Sequence, residues 1–267
     1  ADQPYVNPQG VMDTFVDTWR QDGRTEVASL DARAVGRLFT MWAGDINIAI
    51  GGEYRTESFH WVRPYNEGMR NDFYVSSPIP DNSGDRSVAS FYSEIVVPLI
   101  APQNNIPLAN SLELSASARY ESYDDFGNTT KPNVGLNWKP LPNIMVRSSY
   151  NEGFTAPSLA DLYSPPSTTI GSVATQIDTY RNVATSEGAY VTLGTTSGNP
   201  NLQPAESEGK SAGIVVDVPW VRGLTLTADY WEIQQEDVIG ILGGSVQLAL
   251  DYLMRMEGSY NPAVVRQ

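Results

Sequence analysis

The chain has 267 residues, no cysteine, one histidine and a net charge of −14 from 17 Lys and Arg against 31 Asp and Glu. Clustered cations for phosphate are missing from such a balance, so nucleic acid is excluded as a partner, and without Cys a disulfide framework, a thiolate zinc site and a Cys nucleophile go as well. Charged residues are only 18% of the chain while Tyr, Trp and Phe number 14, 6 and 7, a combination foreign to an ordinary water-facing surface.

In chain order, the sequence predicts eight β-strands. The first, residues 24–33, is weakly patterned. Residues 46–57 alternate clearly, with Ile46, Ile48, Ile50, Gly52 and Tyr54 on one face and Asn47, Ala49, Gly51, Glu53 and Arg55 on the other. After a weaker strand at 87–97 comes the sharpest alternation, 111–121, where Leu112, Leu114, Ala116, Ala118 and Tyr120 face away from Glu113, Ser115, Ser117, Arg119 and Glu121. Strands at 131–138, 144–152, 206–217 and 224–234 complete the set, with no convincing long helix.

Connections alternate in length. Those at 139–143 and 218–223 are short, 36–45 and 98–110 are intermediate, and 59–86 and 153–205 are long and rich in Pro, Ser, Thr, Asn and Gly. The link at 122–130 is a short one on the long-loop side. Residues 1–23 and 240–267 read as pieces of external loops.

Four strands run toward the long loops, and each ends its apolar face in a tyrosine: Tyr54, Tyr120, Tyr150 and Tyr230. Trp138, Trp220, Phe39 and Trp42 lie at the opposite end. Two aromatic girdles, short turns on one side and long loops on the other describe an antiparallel transmembrane barrel wall. The longest apolar run, Ile95 to Pro102, falls far short of the ~20 residues of a membrane helix, a test that barrel strands escape. A soluble antiparallel sandwich also alternates and stays open on periodicity alone. Strand length, girdles and the small Ala116, Ala118 and Ser148 on the dry faces weigh against it.

Within the second long loop, the run Asn151-Glu152-Gly153-Phe154-Thr155-Ala156-Pro157-Ser158-Leu159-Ala160-Asp161-Leu162-Tyr163 resembles the Gly-Phe-Arg-Ala-Pro-Ser-Leu-x-Glu-Leu-Tyr signature of TonB-dependent outer-membrane receptors. Further on, Asn199-Pro200-Asn201-Leu202-Gln203-Pro204-Ala205-Glu206 resembles the family's Asn-Pro-x-Leu-x-Pro-Glu segment. Leu224 to Trp231, followed by Asp237-Val238-Ile239, is similar to its next rising strand. Thr155, where arginine is common, and Gly209-Lys210-Ser211, where the family is more aromatic, bear on subfamily and ligand rather than architecture.

The resemblance implies an all-β segment of about eight strands of a larger plugged barrel, residues 1–267 forming part of one barrel domain with the plug and the closing C-terminal strand outside it. It implies the outer membrane of a Gram-negative bacterium, outer-membrane lipid around the wall, and energy from the TonB-ExbB-ExbD complex acting through the plug. The cargo would be a scarce nutrient: a ferric siderophore, cobalamin or an oligosaccharide. No bond is made or broken, so no enzyme activity, cofactor or metal is expected.

Loop position and composition nominate Tyr123, Tyr163, Tyr180, Arg181, His60 and Trp61 as contacts to a small-molecule or glycan ligand, aromatics offering stacking area and Arg181 a cation. The lone His60 reads equally as an exposed loop histidine. Glu113, Arg119, Arg147 and Asp229 face the lumen or plug, and Gly153 to Tyr163 reads as a structural corner. Glu206 could cap or pair with Lys210. Asp124 and Asp125 beside Gly127 lack the alternating ligands of a calcium loop and fit a hairpin turn. A passive porin and a secreted glycan-binding sandwich are the alternative functions.

Overall fold

The computed structural model of the chain describes residues 8–13, 21–62, 80–170, 178–181 and 193–266. Eight strands join in one antiparallel sheet: β1 (Asp22–Met41), β2 (Gly44–Val62), β3 (Asn82–Ile100), β4 (Ser111–Tyr123), β5 (Gly127–Leu141), β6 (Ile144–Thr155), β9 (Ala205–Asp217) and β10 (Thr225–Glu236). Each pairs with its neighbour in chain order. The one interruption is a small hairpin of β7 (Ser167–Ile170) and β8 (Leu193–Thr196), set in the long connection between β6 and β9.

Turns sort as the loop lengths predict. One end carries Trp42-Ala43, Pro142-Asn143, the link 101–110 with its single 3-10 turn Pro102–Asn104, and the link 218–224. Gly44 follows the first of these at φ 134°, a conformation that a side chain would oppose. The other end carries the long connection 156–204 and the compact turn Asp124-Asp125-Phe126, the hairpin expected there, closed by Gly127 at φ 109°.

The strands outrun several of the expected boundaries. Residues 36–45 are not a link: β1 runs through them to Met41. A bulge between Arg37 and Phe39 leaves Leu38 unpaired, which breaks the period-two pattern there. Similarly, the connection expected at 59–86 starts only after Val62 and ends before Asn82, so His60 and Trp61 are strand residues. Beyond β10 the expected loop contains a helix. Its opening Gly243-Gly244-Ser245 looks like loop sequence, yet from Gly244 to Met256 the chain buries Leu248 and Asp251 on one helical face. Of the loop expected at 1–23, only the helical turn α1 (Gln9–Met12) and the start of β1 belong to the described residues.

Register fixes two faces. Tyr54 stands opposite Leu30 and Ala89, Phe91 opposite Gly52 and Tyr120, and Val134 opposite Ala116 and Tyr150, so apolar side chains share the convex face. No second layer covers that face among the described residues. Leu30 is 77% exposed and Tyr230 65%. A soluble sandwich would bury such a face against another sheet; a barrel wall presents it to lipid. At the short-turn end the indole N–H of Trp42 donates to the Leu99 carbonyl at 3.0 Å and that of Trp138 to Leu108 at 3.2 Å. Ala43, Ile46 and Ala101 are buried beside these turns, and a second buried cluster sits on the concave side near the long-loop end, where Val88 and Pro157 are closed off and α2 (Leu159–Tyr163) contributes Leu159 and Leu162.

Candidate functional site

Because register puts Glu53 opposite Ser90 and Ser90 opposite Glu121, while Glu57 faces Arg86, the concave upper ends of β2, β3 and β4 bring six charges together. They pair in a chain. Arg119 gives one N–H to Glu53 at 2.9 Å and another to Glu121. Arg55 bridges Glu53 at 3.1 Å and Glu57 at 2.6 Å, and Arg86 donates to Glu57 at 2.8 Å. Three guanidinium groups thus neutralise three carboxylates, and the Tyr123 hydroxyl donates to Glu121 at 2.6 Å at the far end.

Arg86 ties this ladder to the loops. Its second N–H reaches the Pro157 carbonyl at 2.8 Å, and its guanidinium lies 5.4 Å from the centre of the Tyr123 ring. It also stands 3.9 Å from Asp125, whose burial in the β4–β5 turn holds its carboxyl above the usual range despite that cation. The neighbouring Asp124 accepts the Ser87 N–H at 3.0 Å.

The family motif blocks meet above the ladder. Ser158 caps α2 reciprocally: its hydroxyl accepts the Asp161 N–H at 3.1 Å while Asp161 accepts the Ser158 N–H at 3.2 Å. Two backbone bonds of 2.7 Å then fasten the second block to the first, Gly198 N–H to Ser164 O and Asn199 N–H to Asp161 O. A Cβ at Gly198 would lie 2.6 Å from the Leu162 carbonyl, so only glycine permits the approach. Asn199 closes its own turn by accepting the Asn201 N–H at 3.0 Å, and the Leu202 N–H returns to the Asn199 carbonyl. Pro200 lies in that turn, and Pro204 leads into β9.

Beneath this clamp lies a cavity of about 900 Å³, walled by Trp61 and Val62 of β2, by Ala156, Ser158 and Leu202 of the clamp, and by residues around Val238. Of the nominated ligand contacts, Trp61 lines it, whereas His60, one residue away on the strand, takes the opposite face. Tyr123 is buried, with Phe126 at 4.3 Å and Phe154 edge-on at 6.1 Å. Tyr163 lies over Gly84, where a Cβ would come within 2.7 Å of its ring. Tyr180 and Arg181 belong elsewhere. Tyr180 lies between the guanidinium groups of Arg255 (4.7 Å) and Arg266 (5.1 Å), beside the buried Asp178 and Asp251 that bind Arg266.

Among the residues expected to face the lumen, Arg119 is in the ladder. Arg147 meets Asp229 through three N–H···O contacts of 2.8–3.0 Å across Gly213, where any Cβ would collide with the Asp229 carboxylate. Glu113 is exposed near the lower turn. Glu206 pairs with Lys131 at 3.0 Å rather than with Lys210, which takes Glu208, because β5 and β6 part above Asn133 and Asn151 and let β9 approach Lys131. Gly153 approaches the Ser207 hydroxyl too closely for a side chain. Arg86 and Glu57 escape sequence reading because they carry no local motif; only register across two strands joins them.

The model of the TonB dependent receptor-like β-barrel family matches residues 2–256. The chain belongs to this family. Solved structures with the same fold include the siderophore receptor PirA of Acinetobacter baumannii (TM-score 0.58, 14% identity, 81% of this chain and 28% of that one). PirA of Pseudomonas aeruginosa is also similar (0.54, 18%, 80% and 33%), as is a ferric enterobactin receptor mutant of that organism in complex with enterobactin (0.57, 14%, 80% and 27%). No curated protein sequence matches the chain. The chain therefore spans about a quarter to a third of the receptors that it resembles. In this TonB-dependent receptor segment, the two motif blocks form a clamp at the long-loop end that is bolted to the wall through Arg86.

Proposed function

We propose that the chain forms part of the wall and rim of an outer-membrane receptor that imports a scarce nutrient, a ferric siderophore, cobalamin or an oligosaccharide, with energy from the TonB-ExbB-ExbD complex. The observation that carries this reading is the two-faced sheet: an exposed apolar convex face bounded by aromatic rings, and a concave polar face that ends in a walled cavity. In this reading the wall contributes no covalent chemistry. It holds a plug and a cargo by polar contact, with Glu113, Arg119, Arg147 and Asp229 available on the plug side and Trp61 and Tyr163 on the cargo side.

The full-length protein should fractionate with the outer membrane and resist extraction by carbonate. Recovery in the soluble periplasm or the medium overturns the reading. Uptake of the cargo should also collapse when the proton gradient is discharged, an effect that a passive porin would not show.

A further inference from the structure

The Asp125 side chain combines near-complete burial with an unanswered charge. It is 3% exposed, its Oδ1 accepts the Phe126 N–H at 2.9 Å, and its Oδ2 is buried with no hydrogen-bond partner among the described residues. Arg86 Nη1 stands 3.9 Å from that oxygen, about 1 Å too far for a hydrogen bond.

Arg86 is already committed. Its Nε and Nη2 hold Glu57 at 2.8 and 2.7 Å, and the same Nη1 holds the Pro157 carbonyl at 2.8 Å. An ionised carboxylate buried beside a cation turned to other partners is costly, and burial holds the Asp125 carboxyl above its ordinary range in spite of Arg86. The other ionisable groups around it offer no relief. Asp124 in the same turn, Asp85 on β3 and Glu57 on β2 are further carboxylates, Arg55 is taken by Glu53 and Glu57, and Tyr123 and Tyr163 are phenols. Burial, followed by the charges of Asp125, Asp124 and Asp85, holds the Tyr163 hydroxyl above its ordinary range as well.

The backbone decides which part can give way. The turn that carries Asp125 is tied to β3 in both directions, Ser87 N–H to Asp124 at 3.0 Å and Asp124 N–H to the Ser87 carbonyl at 3.3 Å. The clamp has no such tie to β5, because the β5–β6 ladder ends at Asn133 and Asn151. Among the described residues, side chains fasten it to the wall: Arg86 to the Pro157 carbonyl, Asn82 to Ser164 at 2.8 Å and Lys131 to Glu206 at 3.0 Å. Bringing Nη1 within reach of Asp125 moves it from the position that serves Pro157, and Pro157 is the partner free to withdraw.

We propose that Asp125 and Arg86 form a proton-operated latch on the motif clamp. With Asp125 protonated, Arg86 Nη1 stays on the Pro157 carbonyl and the clamp is shut; ionised Asp125 draws on the same nitrogen and the clamp loosens. The latch goes beyond the receptor reading and needs no cargo. Because the folded chain holds this proton more tightly than a free aspartate does, the latch is tightest below the free group's 3.8 and loosens as pH rises through the folded value.

The test uses the full-length protein in liposomes, with no cargo added. Hydrogen exchange is followed by mass spectrometry at about pH 7.5 and about pH 4.5 and expressed as protection factors, which remove the intrinsic pH dependence of exchange. In the parent, protection of the segments 156–164 and 198–204 should rise about threefold or more on acidification, while β4 below Tyr120 stays unchanged. Asp125→Asn, uncharged and of the same shape, should show the acid-level protection at both pH values. Asp124→Asn, one residue away and exposed, should keep the parent's response. Arg86→Gln should give low protection at both.

A parent clamp that is equally protected, or less protected, in acid overturns the latch, as does an Asp125→Asn protein that keeps the parent's pH response. Heat-dependent gel mobility checks that each variant is folded. Should Asp125→Asn not be, Asp125→Ser, smaller and equally uncharged, takes its place under the same criterion. Recovery of the protein in the soluble fraction sinks the receptor reading, whereas loss of the pH response in a membrane-embedded protein sinks the latch alone.

Discussion

The lower wall and the upper rim of the same sheet are held together by different means. Below the Tyr54, Tyr120, Tyr150 and Tyr230 rings, neighbouring strands share backbone ladders, and small or branched residues such as Ala116, Val134 and Ile214 cover the convex face. Above them, β5 and β6 have parted while the other ladders run on, and side chains are added to the backbone pairing: Arg55, Arg86 and Arg119 stitch β2, β3 and β4, and the Ser158 cap and the Gly198 contact fix the motif clamp. A segment surrounded by lipid must satisfy its backbone internally and needs little else. A segment standing in water competes with solvent for every hydrogen bond, so it relies on pairs that are partly shielded.

The largest effect expected from this contrast is at Arg86. Replacing it by Ala leaves Asp125 without its cation, Glu57 with Arg55 alone and the Pro157 carbonyl without its donor, at a cost of roughly 3 kcal/mol, the lower end of what removing one partner of a buried pair costs. Urea unfolding of the receptor in liposomes measures it, and limited proteolysis should show the 156–204 connection cut first. A loss near zero would mean that the rim does not depend on its side chains.

Next in size, Ile50→Arg on the convex face, four residues below Tyr54, should cost about 2–4 kcal/mol, whereas Thr56→Arg on the same face two residues above that tyrosine should cost about 0–1 kcal/mol. Equal effects would place the lipid boundary elsewhere. Within the rim, Ser158→Ala removes the α2 cap and should cost about 1 kcal/mol by the same measurement.

The smallest effect concerns the helix beyond β10. Arg266 holds the Asp178 carboxyl below its ordinary range against the pull of burial. A lowered folded-state value means that the contribution is complete above the free group's 3.8 and fades as pH falls through the folded value. Asp178→Asn at neutral pH should therefore speed hydrogen exchange in Gly244–Met256 while leaving the strands unchanged.

Sequence alone made the wall legible because its determinants are local. Ser111 to Glu121 alternates without a break, and each rising strand closes its apolar face with a tyrosine. The bulge at Leu38 hid the lower half of β1 by reversing the parity of everything after it. At the rim, the motif blocks were visible as segments, but their embrace was not, since Gly198 and Ser164 are brought together by a long connection. The ladder was half visible: Glu53, Arg55 and Arg119 could be placed on the wet face, while Arg86 lay in a stretch read as loop. Trp61 and His60 are neighbours in sequence, and only the continuation of β2 to Val62 turns them to opposite sides.

That continuation has a further meaning. From Arg55 to Val62, β2 climbs past its tyrosine girdle by eight residues, about 20 Å of height once strand tilt is allowed for. The strand stands there as a post, holding whatever it carries at its tip clear of a headgroup layer set at that girdle. At that height, about twice the ~8 Å Debye length of physiological salt, the field of charged headgroups is largely screened.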